Sequence, residues 1–331
     1  MKQLIGLFWA LCLLPLAATA QRTVNVTATL KGGATPSGPL AVVNETQVAY
    51  WQPAKAQFKT EFTVEQLPTS VSFATISKKG KVTPLTTEIW IDDPDVRLEI
   101  DLANRQVTSD KPYTQQVLAD KLAKATGQEK INLIRQHADT YPAIYHLHQL
   151  VIRNQVSVAE LEKVFQSVPD DKKSYRYAKQ IGGYLLGKQL PPLAVGKAVT
   201  PLVLQDRNRK PHTLGNPTKK HLLLMVASSG CQFCLMALPE VDRLRNAMGE
   251  QMEVVTVWTD PTYHIWQNAA KDVKRLVTWI DLWDETGVAN TYFKAEATPS
   301  FYLIDRNGVV IAKTEGYRNG DLEKFVRKNV K

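Results

Sequence analysis

Apolar and polar positions follow two different patterns before residue 190. Between residues 21 and 110, stretches such as TVNVTATL, QFKTEFTVEQL and SVSFATIS alternate with a period of two, which predicts β-strands separated by turns. Between residues 111 and 190, apolar residues recur every three or four positions, which predicts about five helices. We therefore expect a small antiparallel β-domain followed by a helical segment.

A third pattern begins after Pro191-Pro192. HLLLMVA and MEVVTVW are continuous apolar runs of the kind found in strands that are buried on both faces. Helix-like segments separate them, including one from residue 232 to about 248. The stretch SFYLIDRNGVVIAKTEG predicts a hairpin in which Asn307-Gly308 forms a type I′ turn. Strands that alternate with helices predict an α/β domain with a central mixed sheet over residues 191–331.

Residues 1–20 have the layout of a cleavable secretory signal. Lys2 precedes an apolar run, and small residues follow it up to Ala20, after which we expect cleavage. The run is too short to span a bilayer comfortably. We expect no lipid anchor at Cys12, because the residues before it lack the small side chain that such processing needs. The sequence thus predicts an exported, periplasmic protein that associates with a membrane only through a partner.

Composition narrows the classes of function. Of the 331 residues, 44% are apolar and 22% are charged, which is enough to build more than one ordinary globular core. Lysine and arginine number 41 against 32 aspartate and glutamate. The basic stretches, such as ISKKGK, are short and lack interleaved aromatic residues, so we expect no nucleic-acid partner.

Two cysteines, Cys231 and Cys234, remain after removal of the signal, in the sequence SSGCQFCLMALPE. A disulfide across two intervening residues removes little unfolded-state entropy, so a purely structural disulfide is a poor explanation for this cysteine pair. Half a zinc site is an alternative, with His221 or His264 as further ligands. Zinc needs four ligands, however, and the sequence contains no second CxxC or CxxH. We expect neither a metal nor an organic cofactor.

The surroundings of the cysteine pair favour redox chemistry. Cys231 follows a buried strand where a helix begins, and the free N–H groups and dipole of that helix favour its thiolate. A lowered pKa makes Cys231 the attacking sulfur near neutral pH. Cys234 lies one turn deeper on the same face, from which it can attack a mixed disulfide and release the substrate.

Two prolines support this interpretation. Pro239 lies inside the helix that follows Cys231, where it is expected to introduce a kink. Thr298-Pro299 immediately precedes the strand SFYLI. A cis bond there would place the Thr298 backbone opposite the dithiol, free to pair with an extended substrate.

In this order, these features resemble the exported thiol-disulfide oxidoreductases typified by TlpA and ResA, over residues from about 193 to 331. The resemblance implies a thioredoxin-like fold with Cys231 as nucleophile, Cys234 as resolving cysteine and Thr298-Pro299 as the cis-proline loop. It also implies that Gln232 and Phe233, between the cysteines, take part in substrate binding. Residues 260–281 resemble the insertion that separates this family from plain thioredoxin.

Three positions depart from the family pattern. Many relatives have tryptophan before the first cysteine and proline before the second, where this chain has Gly230 and Phe233. Thioredoxin has a buried aspartate six residues before the first cysteine, and Met225 stands here instead. The residue that accepts the proton of Cys234 is therefore not identified by sequence.

The resemblance favours a reductase whose substrates are protein disulfides and whose electrons come from a protein dithiol. Disulfide isomerase or oxidant activity is an alternative. Another is an envelope module that binds partners and uses the thioredoxin-like domain as a scaffold. Residues 21–190 contain no catalytic constellation, so we expect them to serve docking, partner choice or formation of a homodimer.

Overall fold

The computed structural model describes residues 22–33, 40–45, 47–51, 57–64, 66–76, 82–273, 276–294 and 297–330. The chain divides into two compact units near residue 117. The predicted signal and Cys12 lie outside the described residues. None of the helices in the described part of the chain has the length and apolar character that crossing a membrane requires.

The first unit consists of β-strands that form two sheets. The strands are β1 (Arg22–Leu30), β2 (Leu40–Asn44), β3 (Val48–Trp51), β4 (Gln57–Val64), β5 (Thr69–Ile76), β6 (Val82–Pro84), β7 (Ile89–Ile91), β8 (Asp95–Asp101) and β9 (Gln106–Ser109). One sheet has the order β4-β1-β8-β9 and the other β3-β2-β5-β6, with β7 also paired to β5. Alternate residues of β1, beginning with Val24 and Val26, point into a shared apolar core, as the period of two predicts.

The expectation of a purely antiparallel domain is wrong at one pair, since β1 and β8 run parallel, with Val26 opposite Val96. The other strand pairs described in this unit are antiparallel. Two parallel neighbouring strands need a long connection between them. Here the connection from β1 to β8 contains all the strands of the second sheet. Alternation within each strand carries no information on this long-range pairing.

The second unit contains the five helices expected from the helical pattern. They are α1 (Gln116–Lys124), α2 (Gly127–Gln136), α3 (Tyr141–Ile152), α4 (Val158–Gln166) and α5 (Arg176–Gln189). The Ser157 hydroxyl accepts the Glu160 N–H at 3.2 Å and so caps α4. Helix α5 runs unbroken through Gly182-Gly183 because it packs closely on residues 286–291. A Cβ at position 183 would lie 2.1 Å from the Thr286 carbonyl oxygen.

The rest of this unit is a seven-stranded mixed sheet with helices. Its strands are β10 (Leu202–Asp206), β11 (Pro211–Leu214), β12 (His221–Ala227), β13 (Met252–Trp258), β14 (Ile280–Trp283), β15 (Ser300–Ile304) and β16 (Val310–Glu315). Its helices are α6 (Gln232–Met248), α7 (Tyr263–Val273), α8 (Val288–Phe293) and α9 (Asp321–Asn329). The strand order is β11-β10-β14-β13-β12-β15-β16, with β12, β13 and β14 parallel and the other pairs antiparallel.

Strand β12 is apolar throughout because both of its faces are covered. Met225 and Ala227 face a core that includes residues of α6 and α9, whereas Leu224 and Val226 face one that includes residues of α8. Pro239 lies inside α6, and the helix continues beyond it to Met248. The parallel pair β12–β13 places the carboxyl ends of both strands at one edge of the sheet.

The turn between β15 and β16 differs from the prediction. A type I′ turn needs positive φ at both central residues, but at Asn307-Gly308 only Gly308 has it, at 79°. The Gly308 N–H donates to the Asp305 carbonyl and the Asp305 N–H to the Val309 carbonyl. The chain therefore forms a turn followed by a glycine with left-handed φ at a β-bulge. The Asp305 carboxylate stabilises this turn because it accepts the N–H groups of Asn307 and Val309.

Candidate active site

The cysteine pair lies at the opening turn of α6, directly after the carboxyl end of β12. Cys231 is the N-cap residue, and its sulfur accepts the backbone N–H of Cys234 at 3.3 Å. The same sulfur donates to the Thr298 carbonyl oxygen at 3.2 Å. A loop that lies 67 residues after Cys231 in the chain therefore contacts the first sulfur directly.

The two sulfurs have different environments. Cys231 is partly exposed, whereas Cys234 is 0% exposed and belongs to the core between α6 and the sheet. Burial would raise the pKa of the Cys231 thiol, but hydrogen bonds from the side chains of Cys234 and Thr298 and from backbone N–H groups outweigh it, and the net pKa is lowered. Burial, followed by the hydrogen bond to the Cys231 sulfur, raises the pKa of the Cys234 thiol to about 12. Only Cys231 is therefore suited to attack from solvent at neutral pH.

The loop opposite the dithiol is positioned by the sheet. The Thr298-Pro299 peptide bond is cis. Ser300, the next residue, pairs with Val226 near the end of β12, and the Pro299 carbonyl accepts the Gly316 N–H at 2.8 Å. The register of β15 against β12 thus brings the predicted proline loop to the cysteines.

Apolar side chains are exposed around the first turn of α6. Phe233 is 57% exposed and Met236 is 53% exposed, and Leu235 and Gln232 are exposed as well. Of the predicted substrate-binding residues, Gln232 and Phe233 thus face solvent and Thr298 lies against Cys231. Exposed apolar side chains beside a reactive sulfur form a surface on which an unfolded polypeptide can bind.

Sequence reasoning missed a buried carboxylate beside this site. Asp260, only 2% exposed, follows β13 at the same edge of the sheet. Its Oδ1 accepts the Ser229 backbone N–H at 3.1 Å and the Ser229 hydroxyl at 2.5 Å. The signal was present in the sequence, because Asp260 closely follows the buried strand MEVVTVW, just as Cys231 closely follows the buried strand HLLLMVA.

A second buried carboxylate, Glu240, lies deeper in α6. It accepts the Tyr317 hydroxyl and the N–H groups of Gly320 and Glu323, each at 2.9 Å. Burial, followed by the bond to Glu240, raises the pKa of Tyr317 to about 12. Glu240 therefore attaches the start of α9 to the helix that bears the cysteines.

The histidines outside this site do not form a metal centre in the described part of the chain, where no three histidine, cysteine, aspartate or glutamate side chains come together in a metal-binding group. The spacing of His146 and His148 by two residues on one helix favours surface or boundary positions, but His146 is buried. Its ring lies 5.4 Å from that of Tyr145, and the His148 ring lies 4.9 Å from that of Tyr177. Burial lowers the pKa of both histidines to about 4, so both are neutral packing residues at neutral pH.

The tryptophans near the site are packing residues. Trp258, Trp266 and Trp283 are all buried, and the last two stack with ring centroids 6.4 Å apart. The Trp283 indole N–H donates to the Asp260 carbonyl oxygen at 2.8 Å. The buried Asp260 thus lies next to a group of packed aromatic side chains.

Comparison with known proteins finds similar solved structures. No family model matches the chain, and no curated protein matches it. One similar structure is the thioredoxin domain of a thiol-disulfide oxidoreductase from Bacteroides vulgatus, at 22% identity and TM-score 0.37, covering 42% of this chain and 99% of that one. A thiol:disulfide interchange protein from a Bacteroides species is 23% identical, with TM-score 0.37, covering 42% and 91%. A thiol-disulfide oxidoreductase from Bacteroides fragilis is 17% identical, with TM-score 0.35, covering 40% and 98%.

Proposed function

We propose that the protein is an exported thiol-disulfide oxidoreductase that reduces protein disulfides through Cys231 and Cys234. The observation that carries the proposal is the asymmetry of the pair: a partly exposed sulfur at a helix N-terminus, with a fully buried thiol behind it. The lowered pKa of Cys231 supports a nucleophile, and the raised pKa of Cys234 supports a sulfur that reacts only within the mixed disulfide.

The reaction proceeds in two exchanges. The Cys231 thiolate attacks a substrate disulfide, forms a mixed disulfide and releases one substrate thiol. Cys234 then attacks the Cys231 sulfur, forms the 231–234 disulfide and releases the second substrate thiol. Two electrons pass from the dithiol to the substrate, so the sulfur atoms suffice as redox groups. A protein dithiol donor returns the pair to its reduced form.

The surface beside Cys231 supports a polypeptide substrate. The exposed Phe233 and Met236 offer apolar contacts. The Thr298 carbonyl oxygen, which accepts the thiol of Cys231, supports backbone pairing with an extended segment. In this account residues 191–331 are a thioredoxin-like domain, and residues 21–190 govern docking, partner choice or dimer formation in the periplasm.

Reduction of insulin by the full chain tests the proposal. The wild type is expected to accelerate insulin reduction by dithiothreitol, and Cys231→Ser is expected to lose the acceleration. Cys234→Ser is the matched control: it keeps the nucleophile and should accumulate a mixed disulfide that can be isolated by mass. Equal rates of insulin reduction for wild type and Cys231→Ser would reject the proposed reductase activity and favour the alternative of a partner-binding module.

A further inference from the structure

A polar groove lies on the outer face of the sheet β4-β1-β8-β9, within the first unit, and the proposed thiol chemistry makes no use of it. Its volume is about 570 Å³, within the range of roughly 300–1,000 Å³ that is typical of small-molecule sites. The period of two along β1 forms its floor. Val26 and Ala28 point into the core, so Thr27 and Thr29 point outward and line the groove.

Strand register places two basic residues across this groove. Thr27 of β1 pairs with Lys59 of β4 on one side and with Arg97 of β8 on the other. Neighbouring strands lie about 4.8 Å apart, so the two basic residues stand about 10 Å apart, on either side of a short hydroxyl side chain. Both are exposed and line the groove. Side chains of this length can therefore converge on one anion above Thr27.

Both basic side chains of the groove are available to a ligand. The ion pairs in the described part of the first unit use other lysines, in Lys31–Asp101 at 3.3 Å and Lys111–Asp93 at 2.6 Å. Arginine presents planar N–H groups that can bind a carboxylate or a phosphate in two parallel bonds, and lysine adds a compact charge. This row of the sheet therefore offers a site for an anionic oxygen group.

The next row along the sheet is suited to hydroxyl groups. Thr29 pairs with Gln57 of β4 and with Glu99 of β8, and Glu99 pairs with Thr108 of β9. The Thr29 and Thr108 hydroxyls donate to backbone carbonyls at 3.4 and 3.5 Å, which leaves their oxygens as acceptors. An amide, a carboxylate and two hydroxyls thus lie two residues along the strands, about 7 Å, from the basic row.

The lining also limits the character of the ligand. Leu98 is the one apolar residue among those that line the groove, and its side chain is 2% exposed and belongs to the core. Two acidic residues, Glu99 and Asp110, balance the two basic ones, and the Asp110 N–H donates to the Arg97 carbonyl at 3.2 Å. The groove therefore favours a hydrophilic ligand with one negative charge over a phosphate monoester, which carries up to two.

We propose that this groove binds a sugar that carries a single carboxylate. The carboxylate lies above Thr27, between Lys59 and Arg97. The ring hydroxyls donate to the oxygens of the next row, which includes Thr29 and Glu99. A free sugar acid and an acidic sugar at the end of a glycan present this same chemistry, and the experiment includes both.

Isothermal titration calorimetry of the full chain tests the assignment, with glucuronate as the probe. We expect one site per chain. Glucose lacks the carboxylate and should bind at least about tenfold more weakly, because it loses a hydrogen bond between charged groups. Glucose 6-phosphate should also bind more weakly than glucuronate, because the two acidic residues repel its second charge. A disaccharide that ends in glucuronate separates the two sources: tighter binding than the free acid identifies a glycan end, and equal or weaker binding identifies the free acid.

Variants connect the binding to the groove. Arg97→Gln should weaken glucuronate binding at least about tenfold, and Lys59→Gln should weaken it as well. Arg22→Gln is the matched control, because it removes the same charge from β1 about 17 Å along the strand from Thr27, outside the groove. It should leave binding unchanged. All three side chains are exposed, so each variant should fold, which circular dichroism verifies.

Three results would overturn the assignment. The first is the absence of glucuronate binding. The second is an equal effect of Arg97→Gln and Arg22→Gln, which would mean that the net charge of +9 attracts the ligand without a defined site. The third is tighter binding of polyphosphate than of glucuronate, since the acidic residues of the groove should repel a polyanion. Calorimetry measures binding directly, so failure of this site is distinguishable from failure of the proposed reductase activity.

Discussion

The two thiols should differ by at least three orders of magnitude in their reaction with an alkylating agent. The test uses Cys231→Ser and Cys234→Ser, each of which leaves one cysteine. For Cys234, the difference between an ordinary thiol pKa of 9.0 and a value of about 12 lowers the thiolate fraction at neutral pH about 1,000-fold. Complete burial of this side chain slows the reagent further. Cys231 is partly exposed, and its pKa is lowered, so it should react readily.

The assay is the rate of iodoacetamide incorporation, followed by mass over a range of pH. For Cys231 the rate should reach its plateau with a midpoint below 9.0, whereas for Cys234 it should still be rising at the alkaline limit. Cys234→Ala is a matched variant, because alanine lacks the hydrogen-bond donor that serine retains. A bond to a charged group contributes about 1.5–3 kcal/mol, so the Cys231 pKa should be roughly one to two units higher in Cys234→Ala than in Cys234→Ser.

Similar alkylation rates for the two single-cysteine variants at neutral pH would refute this reasoning. So would a Cys231 midpoint at or above that of a free cysteine. Either result would mean that the helix start and the Thr298 side chain do not stabilise the thiolate, and the division into nucleophile and resolving cysteine would lose its physical basis.

Two further predictions concern packing and substrate binding. Gly183→Ala should destabilise the protein by about 1–3 kcal/mol in denaturant unfolding, because its Cβ would overlap the Thr286 carbonyl. Gly182→Ala, whose Cβ has only ordinary contacts, should be neutral or stabilising by up to about 1 kcal/mol, and equal effects would contradict the close packing. Phe233→Gln should raise KM for a protein disulfide without changing the rate with a small disulfide. Val203→Gln, at another exposed apolar position, should change neither, and a Phe233→Gln variant that binds protein normally would remove this surface from the site.

Local patterns in the sequence predict local structure well in this chain. The helix predicted from residue 232 to about 248 is α6, and the apolar runs HLLLMVA and MEVVTVW are β12 and β13. The position of Cys231 at the helix start follows from the same local pattern. Each of these features depends on contacts that repeat within a few residues, so periodicity alone reports them.

Features set by distant contacts were not predictable in the same way. The hairpin β10–β11 has only a short and partly exposed alternation, and it is held by pairing with β14 far along the chain. His146 is buried in α3, which packs against both α2 and α5, and the spacing of residues within one helix does not reveal which side chains such packing covers. Asp260 is an ordinary aspartate in the sequence, and only the structure shows that it is buried and binds Ser229, two residues before Cys231.

The most direct test of the central claim is a redox titration of the full chain against glutathione, with the 231–234 pair followed by thiol labelling and mass. The account predicts one reversible two-electron transition between a dithiol and an intramolecular disulfide. Its midpoint should lie within the range of roughly −270 to −120 mV spanned by thiol-disulfide oxidoreductases. A pair that stays reduced throughout this range, or that oxidises only between molecules, would contradict the account.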